Sequence, residues 1–231
     1  MSGDVNFYKG YESFKGYQTP DLKSKHIDQF DREFWQPAQC RPEMHILEIG
    51  CGTGQFLRYL QAKDTENFAG IDHDASLGAH IHSDVADRFQ ATDVFEYLEM
   101  VSADRPLDRV AMFDVLEHFS IEEGAALLSA IARRLNTGGK IVVRVPNVAS
   151  PWGLQYQFGD LTHKAAYTPG SMRQLALEAG LICRKTYPQI RGSRSRRFFQ
   201  SILSSLLKKM LVDPPEIWTG NFIAVLERPE D

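Results

Sequence analysis

An apolar run that ends in closely spaced glycines constrains this chain more than any other feature. Ile46-Leu47-Glu48-Ile49 leads into Gly50-Cys51-Gly52-Thr53-Gly54, and a helical pattern opens at Gln55. Glycine lacks a Cβ, so it takes positive φ and lets a ligand approach the main chain closely. A strand that turns through such glycines into a helix makes a backbone-lined cradle. The spacing limits what the cradle can hold. A dinucleotide fingerprint needs Gly-x-Gly-x-x-Gly, and the residue three beyond Gly52 is Gln55. A phosphate-binding loop needs Gly-Lys followed by Ser or Thr, and Gly54 is followed by Gln55 and Phe56. The turn suits a nucleoside without pyrophosphate chemistry. The alternative is a turn that only lets a helix pack on a strand.

Around this turn, strand and helix signals alternate. Strands are expected at 45–49, 68–71, 88–90, 109–113 and 140–145, with helices at 55–61, 94–100 and 121–135. In the last helix Ala125, Leu128, Ala132 and Leu135 recur at helical spacing, and Gly138-Gly139 is expected to stop it. Alternation of this kind predicts an α/β fold with a doubly wound, mostly parallel sheet. Two closing strands are expected at 182–187 and 222–226. Ligands of such sheets bind beyond the carboxyl ends of the strands, so the residues there are candidates. Asp72 follows the second strand, about 20 residues past the glycines, where a carboxylate can accept hydrogen bonds from both ribose hydroxyls. Asp93 follows the third, and its carboxylate can accept from an adenine amino group while the next amide, that of Val94, donates to a ring nitrogen. Asp114-Val115-Leu116-Glu117-His118 follows the fourth. Each acid has the commoner alternative of a helix cap.

Composition removes several classes. The chain has 231 residues and 43% hydrophobic content, enough for one domain with a real core. A net charge of −4 argues against general nucleic-acid binding. Cys40, Cys51 and Cys183 stand far apart, as reduced thiols in a cytoplasmic protein do, rather than as a disulfide frame or zinc site. The first four residues lack a basic start and an apolar run, so no signal peptide is expected. No apolar stretch reaches the roughly 18 residues of a membrane span. His80 and His82, with His73 and Asp84 nearby, could share a strand face and serve a metal, but a surface loop is the expected role and no metal is expected.

Residues 1–40 form an expected N-terminal cap segment ahead of a domain at 41–231. It carries Phe7, Tyr8, Tyr11, Phe14 and Tyr17, then a helix at 22–35 capped by Asp21 and ended by Pro37. The aromatics either line a lid or anchor a terminal arm. At the other end, Thr168 with Pro169 reads as a helix N-cap, and Gly180 closes that helix. The loop at 148–168 carries Trp152, Tyr156, Asp160 and His163. A histidine there, or His118, can act as a general base near neutral pH. Asp160 is expected to orient His163. Each histidine has a bland alternative, a brace of its own loop. An insert at 191–213 holds Arg191, Arg194, Arg196 and Arg197, then an amphipathic helix over 196–211. It is open to core or dimer packing, to a peripheral membrane contact, or to a phosphate-holding wall of the site.

Taken in order, Leu47 to Gly54, Gly70-Ile71-Asp72, Ala91-Thr92-Asp93, Phe113 to His118 and Gly138-Gly139-Lys140 resemble the class I S-adenosylmethionine-dependent methyltransferases. The resemblance is strong over residues 44–147 and looser beyond. It implies a Rossmann-like sheet of seven strands with the last antiparallel. It implies that Glu48, Gly50, Cys51, Gly52 and Gly54 hold the methionine part of the cofactor. Asp72, with His73 beside it, would hold the ribose, Asp93 and Val94 the adenine, and the Phe113 backbone would lie beside the amino end. The product would be S-adenosylhomocysteine. Gly159-Asp160-Leu161-Thr162-His163 followed by Tyr167-Thr168-Pro169 resembles a segment of small-molecule methyltransferases associated with sugar and polysaccharide biosynthesis, where it faces the substrate. The expected acceptor is a small polar molecule, first a sugar hydroxyl or a sugar-linked intermediate. A second candidate is an amine such as a phosphorylated amino alcohol, its ammonium product ringed by Trp152, Tyr156 and the N-terminal tyrosines. A third is a cofactor-binding scaffold that acts through the 196–211 helix.

Overall fold

A computed structural model describes residues 11–102 and 104–230. Phe7, Tyr8 and the first four residues, on which expectations were placed, lie outside them.

Seven strands form one sheet in the order β3-β2-β1-β4-β5-β7-β6. They are β1 (His45–Ile49), β2 (Asn67–Asp72), β3 (Phe89–Ala91), β4 (Leu107–Phe113), β5 (Leu135–Pro146), β6 (Ile182–Pro188) and β7 (Asn221–Glu227). Pairs from β3 across to β5 are parallel, and β7 runs antiparallel to both β5 and β6. The expected doubly wound sheet with an antiparallel last strand is therefore present. The chain proceeds from β1 to β2 and β3 on one side, then returns past β1 to β4 and β5. The crevice of such a reversal opens between the carboxyl ends of β1 and β4.

Both faces of the sheet are covered, which explains why its strands read as continuous apolar runs. Along β4, Val110 and Met112 join a core that includes Leu127, Leu128 and Ile131 of α6 (Ile121–Arg134) and Met172 and Leu175 of α8 (Pro169–Glu178). Ala111 and Phe113 point the other way. They meet Phe56, Leu57 and Tyr59 of α4 (Gln55–Ala62) and Phe30 and Phe34 of the N-terminal helices. Of the remaining helices, α5 (Val94–Met100) follows β3, α7 (Leu154–Gln157) lies in the loop after β5, and α9 (Arg194–Met210) lies between β6 and β7.

The amino-terminal helices differ from expectation. After α1 (Tyr11–Lys15), the helix starts as α2 (Ser24–Phe30), with Lys23 rather than Asp21 at its N-cap. Asp21 lies too far ahead and offers its carbonyl to Gln55 Nε2 at 3.3 Å. Pro37 does not end the helix. A π turn (Asp31–Trp35) leads into α3 (Gln36–Ala38), closed by Gln39 at φ 56°. Proline leaves the carbonyl four residues back without its amide donor. Here that carbonyl is Glu33's, and Tyr187 donates its hydroxyl to it at 2.7 Å.

A second correction concerns Gly138-Gly139. The α6 helix ends at Arg134, and Leu135 is already paired with Leu107, so the two glycines lie within β5. Gly138, at φ 70°, falls where the register against β4 shifts. Thr168 does cap α8, accepting from the Ser171 amide, and Gly180 follows it at φ 73°. No helix among the described residues is long and apolar enough to cross a membrane.

Candidate functional site

The glycine turn has the predicted conformation. Gly50, Gly52 and Gly54 all have positive φ, 70°, 52° and 78°. A Cβ on Gly50 would run into Val115, whereas one on Gly52 would meet nothing within 4 Å. Gly50 is thus required for strand-to-turn packing, and Gly52 leaves its backbone open to a ligand. A cleft of about 600 Å³ opens there, at the crevice between β1 and β4.

One end of the cleft is built from the predicted cofactor residues Gly50, Gly52, Asp72, His73, Asp93 and Val94. Asp72 Oδ2 accepts the Gly52 amide at 3.0 Å and Oδ1 the Asp74 amide at 3.1 Å, so the carboxylate ties β2 to the glycine turn. His73 Nδ1 lies 3.4 Å from Asp72, and that hydrogen bond holds the His73 pKa above its ordinary value. Asp93 is a helix cap as well, with Oδ1 accepting the Phe95 and Glu96 amides at 2.8 and 3.3 Å. Oδ2 takes neither of those bonds.

Four predicted residues stand behind the cleft rather than in its lining. Cys51 is buried, Gly54 is the N-cap of α4, and Phe113 packs edge-on against Phe56, with centroids 5.2 Å apart. Glu48 is buried beneath the turn. Burial first, and the Asp72 charge second, push its carboxyl pKa well above the ordinary range, and Oε2 has no hydrogen-bond partner. Residues that sequence reasoning left out also line the cleft, among them Ile49, Ile71, Thr92, Lys15 and Asp114. Asp114 was noticed only as a strand-end acid. It adopts φ 59°, a conformation a non-glycine residue rarely takes. Arg144 holds it there from β5, through Nε at 3.1 Å and Nη2 at 2.6 Å, and its Nη1 reaches Glu33 at 2.9 Å. The surroundings oppose a charge on Asp114, but Arg144 outweighs them and keeps its pKa below the ordinary value.

The other end of the cleft is lined by Lys15, His118, Phe119 and Lys164. Here the loop at 148–168 meets the 3-10 turn Leu116–His118. The Glu117 carbonyl accepts the amides of Lys164 and Ala165 at 2.8 and 3.1 Å, which brings His118 and His163 together. Their rings meet edge to face, with centroids 4.6 Å apart. Thr162 Oγ1 donates to Asp160 Oδ1 at 2.6 Å, and its one proton is then committed. At 2.9 Å from the same oxygen, His118 Nδ1 must be the donor. That leaves a lone pair on His118 Nε2. His163 Nδ1 faces the Gln157 carbonyl at 3.0 Å, which fixes the same tautomer in that ring. Burial, aided by His163, depresses the His118 pKa to about 4, and burial also lowers that of His163. Asp160 does not orient His163 as expected, because that ring turns to a main-chain carbonyl. Asp160 acts on His118 through Thr162, and Lys15 closes the chain with its ammonium 2.9 Å from Asp160 Oδ2.

One other expectation needs correction. Trp152 and Tyr156 are exposed and pack near Gly220 instead of lining the cleft, so they form no cage there. Histidines 73, 80 and 82 are not gathered. His82 caps the 3-10 turn Ser83–Arg88 and His80 sits 6.0 Å from the Tyr17 ring. Among the described residues, the group whose ligand atoms gather within 4.8 Å of one another is His118, Asp160 and His163.

A seven-stranded sheet of this order, with a cleft at its switch point and acids on three strand ends, defines a doubly wound α/β protein with its ligand site at the strand ends. The chain belongs to the family described as a methyltransferase domain, whose model matches residues 21–186. Solved structures agree in fold. A SAM-dependent methyltransferase from Archaeoglobus fulgidus superposes with a TM-score of 0.68 at 19% identity, over 96% of this chain and 100% of that one. One from Clostridium acetobutylicum gives 0.61 at 12%, over 96% and 97%. The magnesium protoporphyrin IX methyltransferase of Synechocystis with bound SAH gives 0.57 at 14%, over 99% and 90%. No curated protein matches the chain. The protein is an enzyme, and its methyl donor is S-adenosylmethionine.

The residues present fit that donor. The main chain at Gly52 is open to a ligand, and Asp72, Asp93 and Val94 line the same cleft, where carboxylates would accept from the hydroxyls and amino group of a nucleoside. Glu48 keeps a buried oxygen, Oε2, without a hydrogen-bond partner beneath the turn.

Proposed function

We propose that this methyltransferase acts on a hydroxyl of a small polar acceptor, a sugar or a sugar-linked intermediate, with His118 receiving the proton. The observation that carries this reading is the chain Lys15, Asp160, Thr162, His118 at the cleft end remote from Asp72 and Asp93. The bound donor supplies an electrophilic methyl on a sulfonium. A hydroxyl is a poor nucleophile until its proton begins to leave, and His118, which lines the cleft, is the base assigned to take it. Thr162 and Asp160 fix that ring, and His163 backs it at van der Waals range. An amine acceptor would draw on an aromatic cage, and Trp152 and Tyr156 do not provide one at the cleft. The Lys15 ammonium offsets the Asp160 charge, so the group is expected to work without a metal, and a chelator should leave turnover unchanged.

The test is a methyl-acceptor panel with mass detection, followed by His118→Ala on the acceptor found. Turnover should fall about 100- to 10,000-fold, with donor affinity by calorimetry unchanged. Near wild-type turnover in that variant would remove His118 from the reaction.

A further inference from the structure

The α9 helix is inserted the wrong way round for a helix in water. None of its 17 residues is buried. Phe199, Ile202, Leu203, Leu206 and Met210 follow the 3–4–7–11 spacing of one helical face. That face points outward, with exposures from 45% at Leu203 to 71% at Met210. The opposite stripe contains Arg197, Ser201 and Ser204, and these line the groove of about 730 Å³ between α9 and the body near Ile217 and Trp218. A helix solvated on one side would put its serines outward and its leucines in. A contiguous exposed apolar face of this length marks a contact with something apolar.

Charge decides what that is. Residues 189–212 hold six of the chain's 26 basic residues and none of its 30 acids. Two cations flank the apolar stripe, Arg196 at its start and Lys209 at its finish, while Arg194 and Arg197 line the groove behind it. A second copy of the chain docked face to face would set arginines over lysines if antiparallel, or arginines over arginines if parallel. Either way like charges meet across a desolvated contact, which is repulsive. Three cations in the first turn also face the positive end of the helix dipole. A layer of phosphates relieves both, and long basic side chains reach a headgroup layer while the stripe between them enters the acyl boundary.

We propose that α9 docks this enzyme on an anionic lipid bilayer, lying in the interface plane with Phe199, Ile202, Leu206 and Met210 inserted. The test uses the full chain and sedimentation with phosphatidylcholine vesicles, with and without phosphatidylglycerol. The protein should pellet with the anionic vesicles and not with the neutral ones, and salt should release it. Neutralising Arg196 or Lys209 to Gln should lower partitioning about fivefold per residue. Phe199→Asp with Leu206→Asp should abolish pelleting. Because α9 buries nothing, both variants keep the fold, which unchanged donor affinity by calorimetry verifies. Wild-type protein left in the supernatant at low salt overturns the proposal. So does equal pelleting with neutral vesicles, equal pelleting of the aspartate variant, or a dimer by light scattering that this variant dissociates.

Discussion

At the scale of single residues, burial sets the chemistry of this site. Burial and the neighbouring His163 ring disfavour a proton on His118, while Asp160 favours one and Lys15 opposes it. The balance leaves its pKa at about 4, below the ordinary 6.5. A base must be deprotonated to act, so a depressed pKa keeps His118 competent in mildly acidic solution. The acid limb of kcat/KM should therefore fall well below pH 6.5, and Asp160→Asn, which removes the favourable charge, should move it lower still. A limb near 6.5 in the wild type would contradict the assignment. Glu117 shows the same force without a partner. Its carboxyl is fully buried, neither oxygen has a hydrogen bond, and burial, then the Asp114 charge, push its pKa well above the ordinary range. A carboxyl kept neutral in the folded protein but ionised in the unfolded chain lowers stability as pH rises from about 4.5 toward the folded value. Glu117→Gln removes that proton uptake. Its stability gain over wild type, read from urea unfolding, should be small near pH 4.5 and grow by up to about 1.4 kcal/mol per pH unit above it. A gain independent of pH would mean that Glu117 is not neutral in the fold.

Among the elements, those with a local cause were legible and those with a remote cause were not. The β1 strand and the glycine turn follow from Ile46 to Gly54 alone, and the structure reproduces them to the residue. Asp72 and Asp93 were found because a parallel sheet makes every strand end a candidate. The cap expected at Asp21 and the stop at Pro37 both failed. A proline costs a helix the donor to the carbonyl four residues back, and the donor that replaces it here, Tyr187, lies 154 residues away in β6. Lys15 escaped notice for the same reason, since only the folded chain brings it to Asp160. The remote rescue of Pro37 can be measured. Tyr187→Phe keeps the ring and removes the donor, leaving the Glu33 carbonyl without its bond. The expected cost is about 1–3 kcal/mol, and a melt should register roughly 2–4 °C per kcal/mol for a chain of this size. No loss of stability would place the compensation for Pro37 elsewhere.

For the molecule as a whole, the N-terminal segment joins the two halves of the cleft. From Lys15 it reaches Asp160 on the loop after β5, at the end assigned to the acceptor. From Tyr17 it reaches His80 beyond β2, on the donor side. Behind these contacts Arg58 of α4 donates to the Pro20 carbonyl at 3.0 Å, which ties the segment to the helix that follows the glycine turn. Among the described residues, Lys15 to Asp160 is the ion pair that ties this segment to the loop after β5, so cutting it should loosen the segment there. Lys15 is half-exposed and the buried Asp160 keeps its bond from Thr162, so loss of the bridge should lower the global melt only modestly. Local opening should respond instead, because protease reaches a segment in proportion to the population of its open form. In Lys15→Ala, chymotrypsin should cleave at Phe14 and Tyr17 several-fold faster than in the wild type. Donor affinity should hold, since Asp72, Asp93 and the glycine turn are untouched, while KM for the acceptor should rise. Cleavage at the wild-type rate would show that the segment is held by its inner contacts alone and that Lys15 serves only to set the charge of Asp160.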